Sequence, residues 1–164
     1  MRSEIIRPYL EKLLCEWLGV PVIATDDAGR YRLRVGTSGF LVEVVDFQPV
    51  LVRIWSPVAV GLTKSVGLLD TINSLNSNGL GLRAFFLDGS VILATELVAE
   101  TLDPRELDFA CHLLAGAAER LGPELVEHYG GETLFAGGPP DEASPVTSAD
   151  EETAEPMKAS AGYL

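Results

Sequence analysis

The chain has 164 residues, 47% of them apolar, enough for one domain with a core that needs neither disulfides nor metal. Twelve Lys+Arg against 24 Asp+Glu give a formal net charge of -12. That balance argues against a nucleic-acid binder, which needs a positive footprint, and against docking on anionic membranes.

The first element is a helix. Ile5, Ile6, Tyr9, Leu10, Leu13, Leu14, Trp17 and Leu18 recur at i, i+3, i+4 spacing with charges between them, and Gly19 then Pro21 stop it. The interspersed charges leave no signal-peptide core, and no apolar run approaches the roughly 18 residues of a membrane span. The expectation is a cytoplasmic protein. Strands follow over residues 30–35, 40–46 and 50–56, separated by the turn strings Asp26-Asp27-Ala28-Gly29, Gly36-Thr37-Ser38-Gly39 and Gln48-Pro49. Such short links make neighbouring strands antiparallel. A second helix opens with Thr63 as N-cap, carries a stripe of Val66, Leu69, Ile72, Asn73 and Asn76, and ends at Asn76-Ser77-Asn78-Gly79. Residues 82–87 and 90–95 flank Asp88-Gly89, a strong hairpin signal. The last helix opens with Asp103-Pro104-Arg105-Glu106, a cap, a first-turn proline and an acid at the third position. Its buried stripe runs through Leu107, Ala110, Leu113, Leu114, Ala117, Ala118 and Leu121. Gly122-Pro123 breaks it, and a short helix over 124–129 follows.

The predicted fold is α+β: a single antiparallel sheet of about five or six strands with helices packed on one face, in the order α-βββ(β)-α-ββ-α. Residues 1–136 form this domain. Residues 137–164, with six acids, one base and abundant Pro, Ser and Ala, are expected to be a disordered acidic tail.

Alternation divides the strands into two faces. Tyr31, Leu33, Val35, Val42, Val44, Val52, Ile54, Ala84 and Phe86 form an apolar set that meets the helices. The other face mixes Arg30, Arg32, Arg34, Leu41, Glu43, Val45, Leu51, Arg53, Trp55, Arg83, Phe85 and Leu87. Residues 30–64 hold five bases against two acids, whereas residues 96–132 hold nine acids against two bases. The arginine is therefore concentrated on one sheet face, interleaved with aromatic rings. These residue types are enriched in interface hot spots. The competing reading is a solvated face on which Arg32 or Arg34 pairs with Glu43 and Trp55 sits under a loop.

Catalytic chemistry finds little support. His112 and His128 lie 16 apart in no common zinc pattern. Cys15 and Cys111 form no CxxC pair. Cys111 reads as a core residue, since adjacent helical positions do not turn it toward His112. His128 reads as a surface or helix-end group. Asp26-Asp27 reads as a turn. No Walker loop, dinucleotide fingerprint or GxSxG elbow occurs. The sequence thus predicts no catalytic residue, no cofactor and no metal, with an unmotifed enzyme as a third possibility.

The order of elements and several strings resemble the YbjN-like proteins, which share the fold of the type III secretion chaperones. The strings are Asp26-Asp27-Ala28-Gly29 before an arginine-rich strand, Trp55-Ser56-Pro57-Val58, Leu75-Asn76-Ser77-Asn78, Asp88-Gly89-Ser90-Val91 and Tyr129-Gly130-Gly131-Glu132. The resemblance covers nearly all of residues 1–135 and none of the tail. It implies a non-enzymatic homodimer that acts as a peptide-binding chaperone or adapter, or alternatively as a regulatory module in bacterial signal transduction binding a protein or small ligand. The partner-binding candidates are Arg32, Arg34, Arg53, Trp55, Arg83 and Phe85, with an extended peptide segment of a client protein as partner.

Overall fold

An apolar inner sheet face, which has to be covered, organises the molecule. The computed structural model describes residues 2–35, 38–79, 81–134 and 144–145. In chain order they form α1 (Arg2–Leu18), β1 (Tyr31–Val35), β2 (Ser38–Val45), β3 (Leu51–Ala59), α2 (Val66–Asn78), β4 (Arg83–Leu87), β5 (Ser90–Val98), a 3-10 turn (Ala99–Thr101), α3 (Pro104–Tyr129) and β6 (Ser144–Pro145). The strands make one antiparallel sheet ordered β4-β5-β3-β2-β1-β6. The architecture is the α+β fold expected from the sequence. Apart from Ser144–Pro145, the expected disordered tail over 137–164 lies outside the described residues.

Tyr31, Leu33, Val42, Val52 and Ile54 are buried on the inner face. The helices supply the other side of that core through Leu10 and Leu14 of α1 and Leu107, Cys111 and Leu114 of α3. At the hairpin between β4 and β5, Asp88 (φ 46°) and Gly89 (φ 77°) both adopt positive φ, the two-residue turn whose twist matches the strands.

β3 runs on to Ala59, three residues past the expected end; three further elements differ from the sequence expectation, each for a local reason. α3 runs unbroken through Gly122-Pro123. Gly122 is a contact point there: a Cβ would lie 2.8 Å from Val58 O, so its absence lets α3 settle on β3. Pro123 removes one helical N–H donor without ending the helix. α2 is capped by Ser65, not Thr63, with the Ser65 hydroxyl accepting from Leu68 N at 3.1 Å. Its buried residues are accordingly Leu68 and Ile72, while Val66 is 77% exposed and Leu69 38%. Finally, β5 continues to Val98 instead of ending at Thr95, which adds Glu96 to the outer face.

The phase of α2 has a measurable consequence. Leu68→Ala is expected to cost about 2–5 kcal/mol in urea unfolding, against less than about 0.5 kcal/mol for Val66→Ala. Equal losses would restore the stripe read from the sequence.

Candidate functional site

The register of the sheet decides which outer-face groups become neighbours. Arg32, Leu41, Trp55, Ala94 and Arg83 align in one row across β1, β2, β3, β5 and β4. The next row is Glu43, Arg53 and Glu96. On the other side of the first row, Pro57, Ile92 and Phe85 align. Arg34 stands opposite Gly39 near the β1–β2 turn. All six candidate residues therefore share the face turned away from the inner core. Arg32, Arg34, Arg53, Trp55, Arg83 and Phe85 are each half-buried, and none belongs to the core.

The arginines on this face are engaged with the chain's own carboxylates. Arg53 donates from Nε to Glu96 Oε1 at 3.0 Å and from Nη1 to Glu43 Oε1 at 3.4 Å. Arg83 Nη2 donates to the same Glu96 oxygen. The result is a line of alternating charge, Glu43–Arg53–Glu96–Arg83, across β2, β3, β5 and β4. The cross-strand pairing weighed from the sequence is thus present, but Arg53 is the partner of Glu43. Arg83 also lies 5.3 Å from the Phe85 ring centroid.

Near β1 the anchor is Asp26. Its Oδ1 accepts from Ala28 N at 3.0 Å and Arg30 N at 2.9 Å, and its Oδ2 accepts from Arg30 Nε at 2.8 Å. Arg32 Nε approaches the same oxygen at 3.6 Å. Burial pushes the Asp26 carboxyl up, but the backbone and guanidinium donors of Arg30 and the Ala28 N–H outweigh it, and its pKa lies below the ordinary carboxylate value. Held in this way, Arg30 reaches across β2 and places its guanidinium carbon 5.9 Å from the Trp55 ring centroid. Trp55 is covered by an arginine, where a loop was the alternative expectation.

Trp55 Nε1, in the central row, is buried and has no acceptor among the described residues. Arg32 Nε, also buried, makes no hydrogen bond and is held by its 3.6 Å ion pair with Asp26. A buried N–H left unmade costs about 1–3 kcal/mol. Elsewhere, Cys111 is fully buried and its thiol is pushed up to about 12, chiefly by desolvation and then by Asp108. His112 stacks edge-on against Trp17, with ring centroids 5.6 Å apart, and His128 Nδ1 lies 2.8 Å from Glu124 O. No cluster of three or more metal-ligating side chains occurs among the described residues. No helix among them is long and apolar enough to cross a membrane.

Sequence reasoning missed Glu96 and the anchoring role of Asp26. The alternation of Thr95, Glu96, Leu97 and Val98 carried the signal for the first. The second depends on a turn carboxylate facing two arginines, which spacing alone does not reveal.

Together, an aliphatic face covered by helices and an opposite face of arginines and aromatic rings define an α+β scaffold. Its relatives name the class. The sequence model described as "T3SS (YopN, CesT) and YbjN peptide-binding chaperone 1" matches residues 4–137. The chain belongs to this family, and its function is that of a peptide-binding chaperone. A search of curated proteins finds no match. Among solved structures, the ExsC–ExsE complex matches with 18% identity and a TM-score of 0.59, covering 71% of this chain and 93% of the other. The HopA1–SchA chaperone–effector complex matches at 15% and 0.58, covering 75% and 98%. The heterodimeric ExoU–SpcU complex from the type III secretion system of Pseudomonas aeruginosa matches at 19% and 0.51, covering 70% and 95%. At these identities the likeness is one of fold.

Asp26 gives this site a pH signature. With its folded pKa lowered, its contribution is complete above the ordinary carboxylate range and is lost as pH falls through the folded value. Asp26→Ala is expected to cost about 1–3 kcal/mol at neutral pH in urea unfolding. Asp26→Asn, which keeps the acceptor for Ala28 and Arg30, is expected to cost less. The gap between wild type and Asp26→Ala narrows on acidification below about pH 4. A gap that stays constant down to pH 2 would contradict the assignment.

Proposed function

We propose that this chain holds an extended segment of a partner protein on the outer face of its sheet. Arg32, Arg34, Arg53, Trp55, Arg83 and Phe85 form the contact. The observation that carries this reading is Trp55 Nε1, a buried donor in the middle of that face with no acceptor among the described residues. An extended polypeptide presents carbonyl oxygens at regular intervals, and one laid against Trp55 satisfies its indole N–H. Arg30, lying over Trp55, is the group such a segment moves aside.

The ion pairs refine the chemistry of the partner. Arg53 and Arg83 are already balanced by Glu43 and Glu96. Binding at the centre of the face therefore comes from ring contacts and main-chain oxygens, with apolar anchors against Trp55 and Phe85. The chain works without catalysis, metal or cofactor, in the cytoplasm. Its Cys111 thiol, buried and pushed up to about 12, is unsuited to nucleophilic work. We read it as a homodimer, supported by the exposed apolar Val66 and Leu69 on α2, the helix that flanks edge strand β4.

Purification of the full chain from its native cells, followed by mass spectrometry of co-purified polypeptides, tests the reading. Wild type is expected to retain an unfolded or secreted client, with at least tenfold less on Trp55→Asp and on Phe85→Ser of unchanged circular dichroism. Equal recovery on both variants removes the outer face from the account. Recovery of a kinase, receptor or transcription factor instead identifies the regulatory role. Light scattering reads the assembly directly: twice the chain mass is expected, and a monomer overturns the homodimer.

A further inference from the structure

The two ends of the sheet are finished differently. At β4, one side chain takes both peptide groups of Ala84: Asn76 Nδ2 donates to Ala84 O at 2.9 Å, and Asn76 Oδ1 accepts from Ala84 N at 2.7 Å. An amide from α2 thus stands where a neighbouring strand would pair. At β1, the outer neighbour is a strand from the C-terminal stretch, with Ser144 opposite Arg34 and Pro145 opposite Leu33.

That register is chemically apt. Val35 and Ser38 close the β1–β2 hairpin with two residues between them. In such a hairpin the closing pair exchanges its peptide hydrogen bonds, and alternation then turns those of Leu33 toward β2 and those of Arg34 outward. Ser144 brings an N–H and a carbonyl to the outward position. Pro145, which has no N–H, falls where none is needed. The path is also short. Glu132 pairs with Val60 just beyond β3, and the outside of β1 lies about three strand spacings, roughly 15 Å, away. The ten-residue step from Leu134 to Ser144 spans up to about 33 Å when extended. Charge favours the same edge. Arg30 and Arg32 share the one carboxylate of Asp26, and residues 137–164 carry six acids against one base.

We propose that the outer edge of β1 is an acceptor site for an extended acidic segment, and that this chain's own residues around Ser144–Pro145 are its intramolecular ligand, displaced when a client strand pairs there. Displacement by a client rests on the proposed function; occupancy of the edge by the chain itself does not. A tethered segment is present at millimolar effective concentration for a short linker, so a client segment with weak main-chain pairing alone does not dislodge it. A segment that also engages Trp55 and Phe85 does, which makes the edge a filter for clients that engage both surfaces.

The test uses the full chain. Hydrogen exchange of the Arg34 amide, read by NMR, is expected to be at least tenfold faster in Ser144→Pro than in wild type, and restored in Ser144→Ala, which keeps the N–H. The Ala84 amide, held by Asn76, is the control that stays unchanged. In a second arm, a labelled peptide of residues 138–152 is titrated into each protein. It is expected to bind Ser144→Pro at least fivefold more tightly than wild type, because the tethered copy no longer competes. Unchanged Arg34 exchange in Ser144→Pro, equal peptide affinity for both proteins, or no peptide binding to either overturns the proposal. Neither arm uses a client, so failure of the chaperone reading on the outer face leaves both readouts intact.

Discussion

Side chains alternate across a strand, and only one face of this sheet has enough aliphatic surface to be worth covering. Tyr31, Leu33, Val42, Val52 and Ile54 turn inward, and α1 and α3 close over them. The same alternation sends Arg32, Arg53, Trp55, Arg83 and Phe85 the other way. A slip of one residue in any strand would exchange the two sets and bury guanidinium groups against Leu114. The core therefore fixes the composition of the outer face, and the two cannot vary independently. Gly122 serves the same arrangement, because a side chain there would hold α3 off β3.

The outer face is also an electrostatic structure in its own right. Across β2, β3, β5 and β4 its charges cancel through Glu43, Arg53, Glu96 and Arg83. Such part-exposed pairs add modest stability individually. Their larger effect is to fix the guanidinium groups as flat, preorganised walls beside Trp55 and Phe85. Toward β1, one carboxylate, Asp26, meets both Arg30 and Arg32.

Much of this was legible in the residues. The turn signals at Asp26-Asp27-Ala28-Gly29 and Asp88-Gly89 and the cap at Asp103-Pro104 set the element order, and period-two alternation separated the faces before any coordinates. What escaped depends on distance between elements. Gly122-Pro123 has the composition of a helix stop, yet it is a contact between α3 and β3 that only the packed structure reveals. Thr63 and Ser65 are both N-cap residue types, Ser the better of the two, and the cap at Ser65 sets the phase that buries Leu68 and Ile72. Glu96, the partner of Arg53 and Arg83, lay one residue beyond the strand end expected from the sequence. The pairing of Ser144–Pro145 with β1 carries almost no sequence signal, since two residues in a polar stretch show no periodicity.

The chain carries its own pair of reporters for the central claim. Trp55 Nε1 lies on the outer face without an acceptor among the described residues, whereas Trp17 Nε1, on the helical side, donates to Asp108 at 2.8 Å. Titrating isotope-labelled chain with the segment of a client that co-purifies with it, and following the two indole N–H resonances, separates the faces in a single spectrum. The account predicts a large downfield shift of the Trp55 resonance as it gains a carbonyl or carboxylate acceptor, with the Trp17 resonance unmoved. A shift confined to Trp17, with Trp55 unchanged at saturation, would place the client on the helices and contradict it.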